Sequence, residues 1–219
     1  PWPMVDKVLT EPQKHLPSAL AQGIGATLQA KWQRLPKERR DLLKLISRFE
    51  INRDQATNIY VQEVRKEAGI DCSDNAILAN PYLLYELTRL TASPISVWTV
   101  DRGVFPDEII RKTHPLPEPT ALDAGTDARR VRALTVKVLE DAANCGNTLM
   151  PQDQVVLAIR NLNIKPGCDV DGDLINVSKD VFEGVISETP LADGNPALQL
   201  SRLSEMGKVI RRAIDKRIK

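Results

Sequence analysis

The sequence is poor in cysteine, histidine and aromatic residues, and it has no long apolar run. Its three cysteines, Cys72, Cys145 and Cys168, lie far apart without paired spacing, which argues against a disulfide framework and a zinc knuckle. We therefore expect a reducing compartment and assign the chain to the cytoplasm. No segment approaches the roughly 20 apolar residues of a membrane span, so we expect no membrane partner. Because the chain starts at Pro1 and shows no signal-peptide pattern, we interpret it as a segment of a longer protein.

The motifs of a self-sufficient enzyme are also missing. A phosphate-binding loop ends in Gly-Lys-Ser or Gly-Lys-Thr, whereas Gly207-Lys208 is followed by Val209, and no glycine lies five residues before Gly207. His15 and His114 are the two histidines, and neither has the spacing of a metal or nucleophilic site. We therefore predict no catalytic residue, no metal site and no cofactor in this chain.

An acidic stretch that begins at Asp169 is similar to a calcium-binding loop at first sight. Asp169, Asp171 and Asp173 alternate as calcium ligands do. However, Leu174 stands where the loop needs glycine, and Asp180 where a bidentate glutamate should close the site. We favour carboxylates at a helix start, where the helix dipole stabilises negative charge.

Positive charge is concentrated in two segments, although the net charge is only +1. Residues 31–48 contain seven basic and two acidic residues, and residues 199–219 contain the same numbers. With 42% hydrophobic and 27% charged residues, the chain has the composition of a globular protein of one or two domains. Local charge, more than the total, decides whether such a protein meets a polyanion.

The first basic segment is predicted to form an amphipathic helix that starts after Pro36. Its apolar face consists of Leu42, Leu45, Ile46 and Phe49. Its opposite face, which we call the basic ridge, consists of Lys37, Arg40, Lys44 and Arg48. With Trp32 nearby, the ridge could bind a nucleic-acid strand by charge and stacking. Alternatively, Trp32 belongs to the core and the ridge is an ordinary solvated helix face.

Gly23-Ile24-Gly25 allows two interpretations. The spacing is similar to the turn of a helix-hairpin-helix, where backbone amides contact a phosphate. The flanking residues also fit one continuous helix.

The middle of the chain is predicted to be helical up to a proline-rich linker. Asn52 and Gln55 have the spacing of a capping box, and a helical stripe follows up to Gly69. Residues 95–100, ISVWTV, are short and β-branched, which predicts a strand. Prolines at every second position predict a stiff, extended linker over residues 113–125. We therefore divide the chain into residues 1–48, residues 49–112, this linker, and a domain of residues 126–219.

The second half predicts the element order of a winged helix. A long helix capped by Thr126 ends near Gly146, a short strand follows, and two further helices begin at Pro151 and Gly172. A turn at residues 193–195 joins two strands into a hairpin, and a basic helix closes the chain. On that helix Leu203, Met206, Ile210, Ala213 and Ile214 are expected to face inward. The predicted fold class is therefore mainly α, with a helical N-terminal region and a winged-helix-like domain that carries a small β-hairpin.

Arg129, Arg130 and Arg132 crowd the start of the long helix, where the helix dipole makes cations unfavourable. One hypothesis is that they bind phosphates, which the planar guanidinium recognises in a bidentate way. The other is that they pair with carboxylates of neighbouring elements. The sequence leaves both open.

The segment ARRVRALTVKVLEDAANCGNTLMPQDQVV, residues 128–156, resembles a segment of RecD-like (exodeoxyribonuclease V alpha-like) DNA helicases of superfamily 1. The shared features are an arginine-rich helix start, a paired alanine, a Gly-X-Thr step and a proline that opens the next helix. Upstream, FEINRDQATNIY and NPYLLYEL resemble the helical region before this segment, and LQLSRLSEMGKVIRRAI resembles the lead-in to the first motor domain. Two departures are Asn147, where the family often has histidine, and SPISVWTVDRGVFPDE, which replaces a glycine-rich hairpin. Residues 1–48 match nothing in the family.

The resemblance implies an accessory region that binds or guides single-stranded or forked DNA in repair or recombination. It also implies that the ATP-binding motor, with its Mg²⁺, follows Lys219 in the intact protein, and that this chain does not hydrolyse ATP. The alternative is a protein-interaction scaffold that holds a motor or partner without touching DNA. A free-standing winged-helix regulator ranks last, because residues 171–184 are too acidic for a recognition helix.

Overall fold

The computed structural model describes residues 2–218 as a mainly helical protein with a small antiparallel sheet. The N-terminal helices are α1 (Trp2–Thr10), α2 (Pro12–His15), α3 (Ser18–Ala21), α4 (Ala26–Arg34) and α5 (Lys37–Ile46). The predicted amphipathic helix is confirmed in α5, which buries Leu42, Leu45 and Ile46. The interpretation of residues 23–25 as continuous helix is wrong, since they form the turn between α3 and α4. The backbone amides of Gly23 and Ile24 donate to the carbonyls of Leu20 and Ala21 at the end of α3.

Six helices follow, namely α6 (Arg53–Tyr60), α7 (Gln62–Arg65), α8 (Asp74–Ala79), α9 (Leu83–Thr88), α10 (Val97–Val104) and α11 (Glu108–Thr113). The predicted capping box at the start of α6 is confirmed: the Asn52 side chain accepts from the Gln55 amide, and the Gln55 side chain accepts from the Asn52 amide. The strand predicted over residues 95–100 is wrong. Ser96 caps α10 by accepting from the Thr99 amide, and Val97, Val100 and Val104 are buried at helical spacing.

The second half contains the sheet and the longest helices. Its helices are α12 (Ala128–Asn144), α13 (Gln152–Arg160), α14 (Gly172–Val177), α15 (Lys179–Phe182) and α16 (Ser201–Ile218), and its strands are β1 (Met150–Pro151), β2 (Ile186–Pro190) and β3 (Pro196–Leu200). The sheet order is β1-β3-β2, and Glu188 of β2 lies opposite Leu198 of β3. The predicted hairpin is confirmed. The cap of α12 is Asp127, not Thr126, and Gly146 takes the left-handed conformation just beyond its end.

One continuous apolar core extends from Leu42 to Leu200, with α12 at its centre. Val131, Ala133, Leu134 and Val136 of α12 are fully buried. The stretch predicted as a linker, residues 113–125, contributes Thr120 and Leu122 to the buried set.

Helix α16 leaves its apolar face exposed. Met206, Ile210 and Ile214 are 57%, 59% and 51% exposed, and only Leu203 packs partly against the core. The expectation that these side chains face inward is therefore wrong, because residues 2–218 provide no surface that covers them. None of the helices in this range has both the length and the hydropathy for a membrane crossing.

Candidate nucleic-acid interface

Arg130, at the start of α12, is fully buried and ion-paired. Its Nε and Nη2 donate to the Asp101 carboxylate at 2.7 and 2.9 Å, and further donors reach the carbonyls of Gly125, Pro166 and Gly167. The Tyr82 hydroxyl donates to the same carboxylate at 2.6 Å. No donor of Arg130 faces solvent, so the hypothesis that this arginine neutralises a phosphate is wrong.

The two neighbouring arginines are also engaged within the chain. Arg132 donates from Nε and Nη2 to the carboxylate of Glu86, at distances from 2.7 to 3.0 Å. Arg129 is paired with Asp127 at 2.9 Å and donates to the carbonyls of residues 79, 119 and 121. The structure therefore favours the second hypothesis for the cluster, in which arginines pair with carboxylates of neighbouring elements. The physical reason is that a guanidinium removed from water needs a counterion and a hydrogen-bond acceptor for each of its donors.

The basic ridge has a different environment. Lys37 is exposed, while Arg40, Lys44 and Arg48 are half-exposed along α5 and just beyond its end. Lys44 is paired with Asp41 at 3.2 Å. Among residues 2–218, the other three ridge residues form no ion pair. The ridge thus presents cations that residues 2–218 do not neutralise.

Arg48 is a partly buried member of the basic ridge. Its Nη2 donates to the backbone carbonyl of His114 at 2.5 Å, and no carboxylate of the described residues pairs with it. Burial lowers its pKa, since desolvation penalises the charged form. A partly buried cation without a counterion is stabilised by any anion that can reach it.

A cleft of about 620 Å³ opens beside Arg48, between α1, the end of α5, α10 and α11. Its charged or titratable lining residues are Lys44, Arg48, Arg102 and His114. Its apolar lining residues are Trp2, Pro3, Pro106, Ile110, Pro115, Leu116 and Pro117. No aspartate or glutamate of the described part of the chain lines it, so the cleft suits a ligand that is both anionic and apolar.

Two smaller cavities share lining residues with the cleft. One, of about 100 Å³, shares Arg48 and His114 with the cleft and adds Arg111. The other, of about 420 Å³, shares Trp2 and Lys44 and adds Lys37 and Arg40 with two carboxylates. All four ridge residues therefore line the cleft or a cavity that shares lining residues with it.

Two tryptophans support this surface in different ways. Trp32 is 7% exposed and donates to the Asp6 carboxylate, so the interpretation of Trp32 as a core residue is confirmed. Trp2 is half-buried, lies parallel to Trp32 with ring centroids 6.4 Å apart, and donates to the Ser47 hydroxyl at 2.9 Å. The accessible indole at the cleft is therefore that of Trp2.

Sequence reasoning missed Trp2, Arg102, Arg111 and His114. Arg102 pairs with Glu50 in an exposed ion pair at 3.0 Å, and Arg111 lies over the Phe105 ring at 3.9 Å. These residues are spread over about a hundred positions of sequence, so no local pattern joins them. The basic ridge was the one signal of this surface that the sequence carried.

No family model matches the chain, and no curated protein or solved structure shows significant similarity to it.

Proposed function

We propose that this chain is a non-catalytic, DNA-binding accessory region of a RecD-like ATP-dependent helicase, and that it holds the DNA backbone along the basic ridge and the cleft. The observation that carries the proposal is Arg48, a half-buried cation that no carboxylate of residues 2–218 pairs with, in a cleft whose charged lining groups are all basic. Nucleic acids supply both a regular row of anions and apolar bases, which this lining requires.

The second half would act as the platform that joins this surface to the motor. Its helices, short β1 and hairpin follow the order of a winged helix, and we propose that it is one. Helices α14 and α15 carry Asp173 and Asp180, so this unit is not expected to read a DNA groove. ATP and Mg²⁺ would act in the motor of the intact cytoplasmic protein.

The DNA-binding proposal is tested by the dependence of affinity on salt. The full chain would be titrated against fluorescently labelled single-stranded, duplex and forked DNA, as the wild type and as the double variant K37Q/R40Q. If both residues neutralise phosphates, the slope of log affinity against log salt should fall by about 0.7 to 0.9 for each contact removed.

A suitable control is K66Q, since Lys66 is exposed, pairs with Asp71 and does not line the cleft. It should leave the slope unchanged. An absence of binding to all three DNA forms at low salt would overturn the proposal. The motor part is tested separately, by a GxxxxGK[ST] loop in the gene downstream of Lys219.

The apolar face of α16 supports the alternative function, a protein-interaction scaffold. Met206, Val209, Ile210, Ile214 and Ile218 are all more than half exposed along this face. A row of this kind on a helix marks a protein interface more often than a free surface. This function would take precedence if the chain bound no DNA while I210S/I214S abolished its association with the purified motor domain.

A further inference from the structure

Two arginines line the smaller cavity beside the cleft. Arg48 and Arg111 both line this hollow of about 100 Å³, and no carboxylate lines it. The Arg111 Nε is buried and has no hydrogen-bond partner within residues 2–218, while its guanidinium lies over the Phe105 ring. Neither arginine forms an ion pair with any residue of 2–218. Because the guanidinium fork matches the oxygens of phosphate, the expected occupant of this cavity is a phosphate group.

The smaller cavity and the larger cleft share part of their walls. Arg48, His114, Pro106, Pro115 and Leu116 line both spaces. Beyond them the cleft is walled by Trp2 and Ile110, which is 44% exposed. A flat, uncharged group attached to the phosphate could pack against this wall.

Arg102 provides a further cation at the rim of the cleft. It is paired with Glu50, but both side chains are largely exposed, at 65% and 83%. An exposed pair of this kind contributes little to stability, so the exchange of Glu50 for a phosphate oxygen is nearly neutral. The rim can therefore hold the phosphate next along a chain.

We infer that the cleft binds one unpaired nucleotide of a single-stranded nucleic acid, with its phosphate between Arg48 and Arg111 and its base against Trp2 and Ile110. The inference rests on the proposed DNA-binding function and narrows it to single strands. A base inside a duplex is paired and stacked, so it cannot enter the cleft without leaving the helix. The positive charge of the lining favours this ligand, because phosphates provide anions that can pair with the basic side chains of the cleft.

The test uses the full chain and an oligothymidine that carries a single 2-aminopurine, whose fluorescence reports stacking. Wild type should bind the single strand with a change in 2-aminopurine emission, and it should cause no such change with the duplex form. I110E should weaken single-strand binding by about tenfold or more and abolish the emission change, because a carboxylate would stand where the base packs. R111Q should also weaken binding and reduce the salt slope by about 0.7.

The chain offers matched controls on the same helix. Ile109 is 78% exposed and lies outside the cleft, so I109E introduces the same charge without blocking the base. Lys112 pairs with Glu108 and also lies outside the cleft, so K112Q matches R111Q. Both controls should bind as wild type does. Urea midpoints of all four variants equal to that of wild type would show that the fold is intact.

The possible failures can be told apart. If single strand and duplex bind equally with no emission change, while K37Q/R40Q weakens both, the nucleotide inference is overturned and DNA binding stands. If wild type binds no DNA at low salt, both proposals fail. If polyglutamate competes as well as an oligonucleotide of equal charge, the cleft is an acidic-peptide site and the inference is again overturned.

Discussion

Arg130 and Asp101 form a two-point ion pair inside the protein, with side-chain exposures of 0% and 3%. The pair joins α10 to α12, two helices on opposite sides of the proline-rich stretch. A buried pair of this type adds little net stability compared with apolar side chains, but the loss of one partner leaves an uncompensated charge in the core.

The exchange D101N should therefore destabilise the protein by about 3 to 5 kcal/mol, because it leaves the Arg130 guanidinium without its counterion. The measurement is the urea midpoint followed by circular dichroism. E50Q provides the control, since Glu50 is the exposed partner of Arg102 and its loss should cost less than about 1 kcal/mol. Equal midpoints for D101N and wild type would contradict the structural role of the pair.

Gly103 should not tolerate a side chain. A Cβ at this position would lie 2.5 Å from Phe49 Cδ1 and 3.1 Å from the Arg48 carbonyl oxygen. We expect G103A to destabilise the protein by about 1 to 3 kcal/mol, because Phe49 is buried and has little room to move. In α16, a Cβ at Gly207 would meet no atom within 4 Å, so G207A should cause no loss. A G103A protein with the wild-type melting temperature would contradict this packing.

Alkaline pH should destabilise the protein through two buried tyrosines. Burial and the adjacent Asp101 raise the pKa of Tyr82 well above its usual value, and burial followed by Glu140 raises that of Tyr85. The folded state therefore keeps protons that the unfolded state loses above about pH 10. The stabilisation is complete below that pH and is lost as the pH rises further. Urea midpoints should fall from about pH 9 to about pH 11, and the tyrosinate absorbance should rise together with unfolding.

Y85F is the informative variant for this effect. It removes one of the two ionising groups without removing the hydrogen bond that Tyr82 donates to Asp101. Its stability should equal that of wild type near neutral pH and fall less steeply at high pH, by up to about 1.4 kcal/mol per pH unit. A tyrosinate signal from all tyrosines near pH 10 in the folded protein would contradict the burial of these hydroxyls.

Local chemistry made part of the fold predictable. The capping box at Asn52, the helix after Pro36 and the hairpin turn at residues 193–195 each depend on neighbours within a few positions, and all three are confirmed. The strand predicted over residues 95–100 is wrong because β-branched residues favour strands only where a sheet is available. There, the Ser96 cap and the burial of Val97, Val100 and Val104 against α12 and its neighbours favour a helix.

The candidate site was less predictable, because it depends on contacts between distant residues. Arginines 129, 130 and 132 form a dense cluster in sequence, but the chain brings Glu86 and Asp101 to two of them. Arg48 belongs to a sparser pattern of charge. It donates to the carbonyl of His114, 66 residues away, and no carboxylate of residues 2–218 pairs with it. Charge density in sequence therefore did not indicate which cations are free.

The arginines at the start of α12 also constrain the order in which the protein assembles. Arg130 takes its counterion from 29 positions earlier and carbonyls from 36 and 37 positions later, and Arg132 reaches Glu86 across 46 positions. A guanidinium cannot leave water before its acidic partner arrives, so this end of α12 can dock only after the segments on both sides have closed large loops. The start of α12 should consequently reach its native packing late in folding. The segments before and after it should become ordered at the same time.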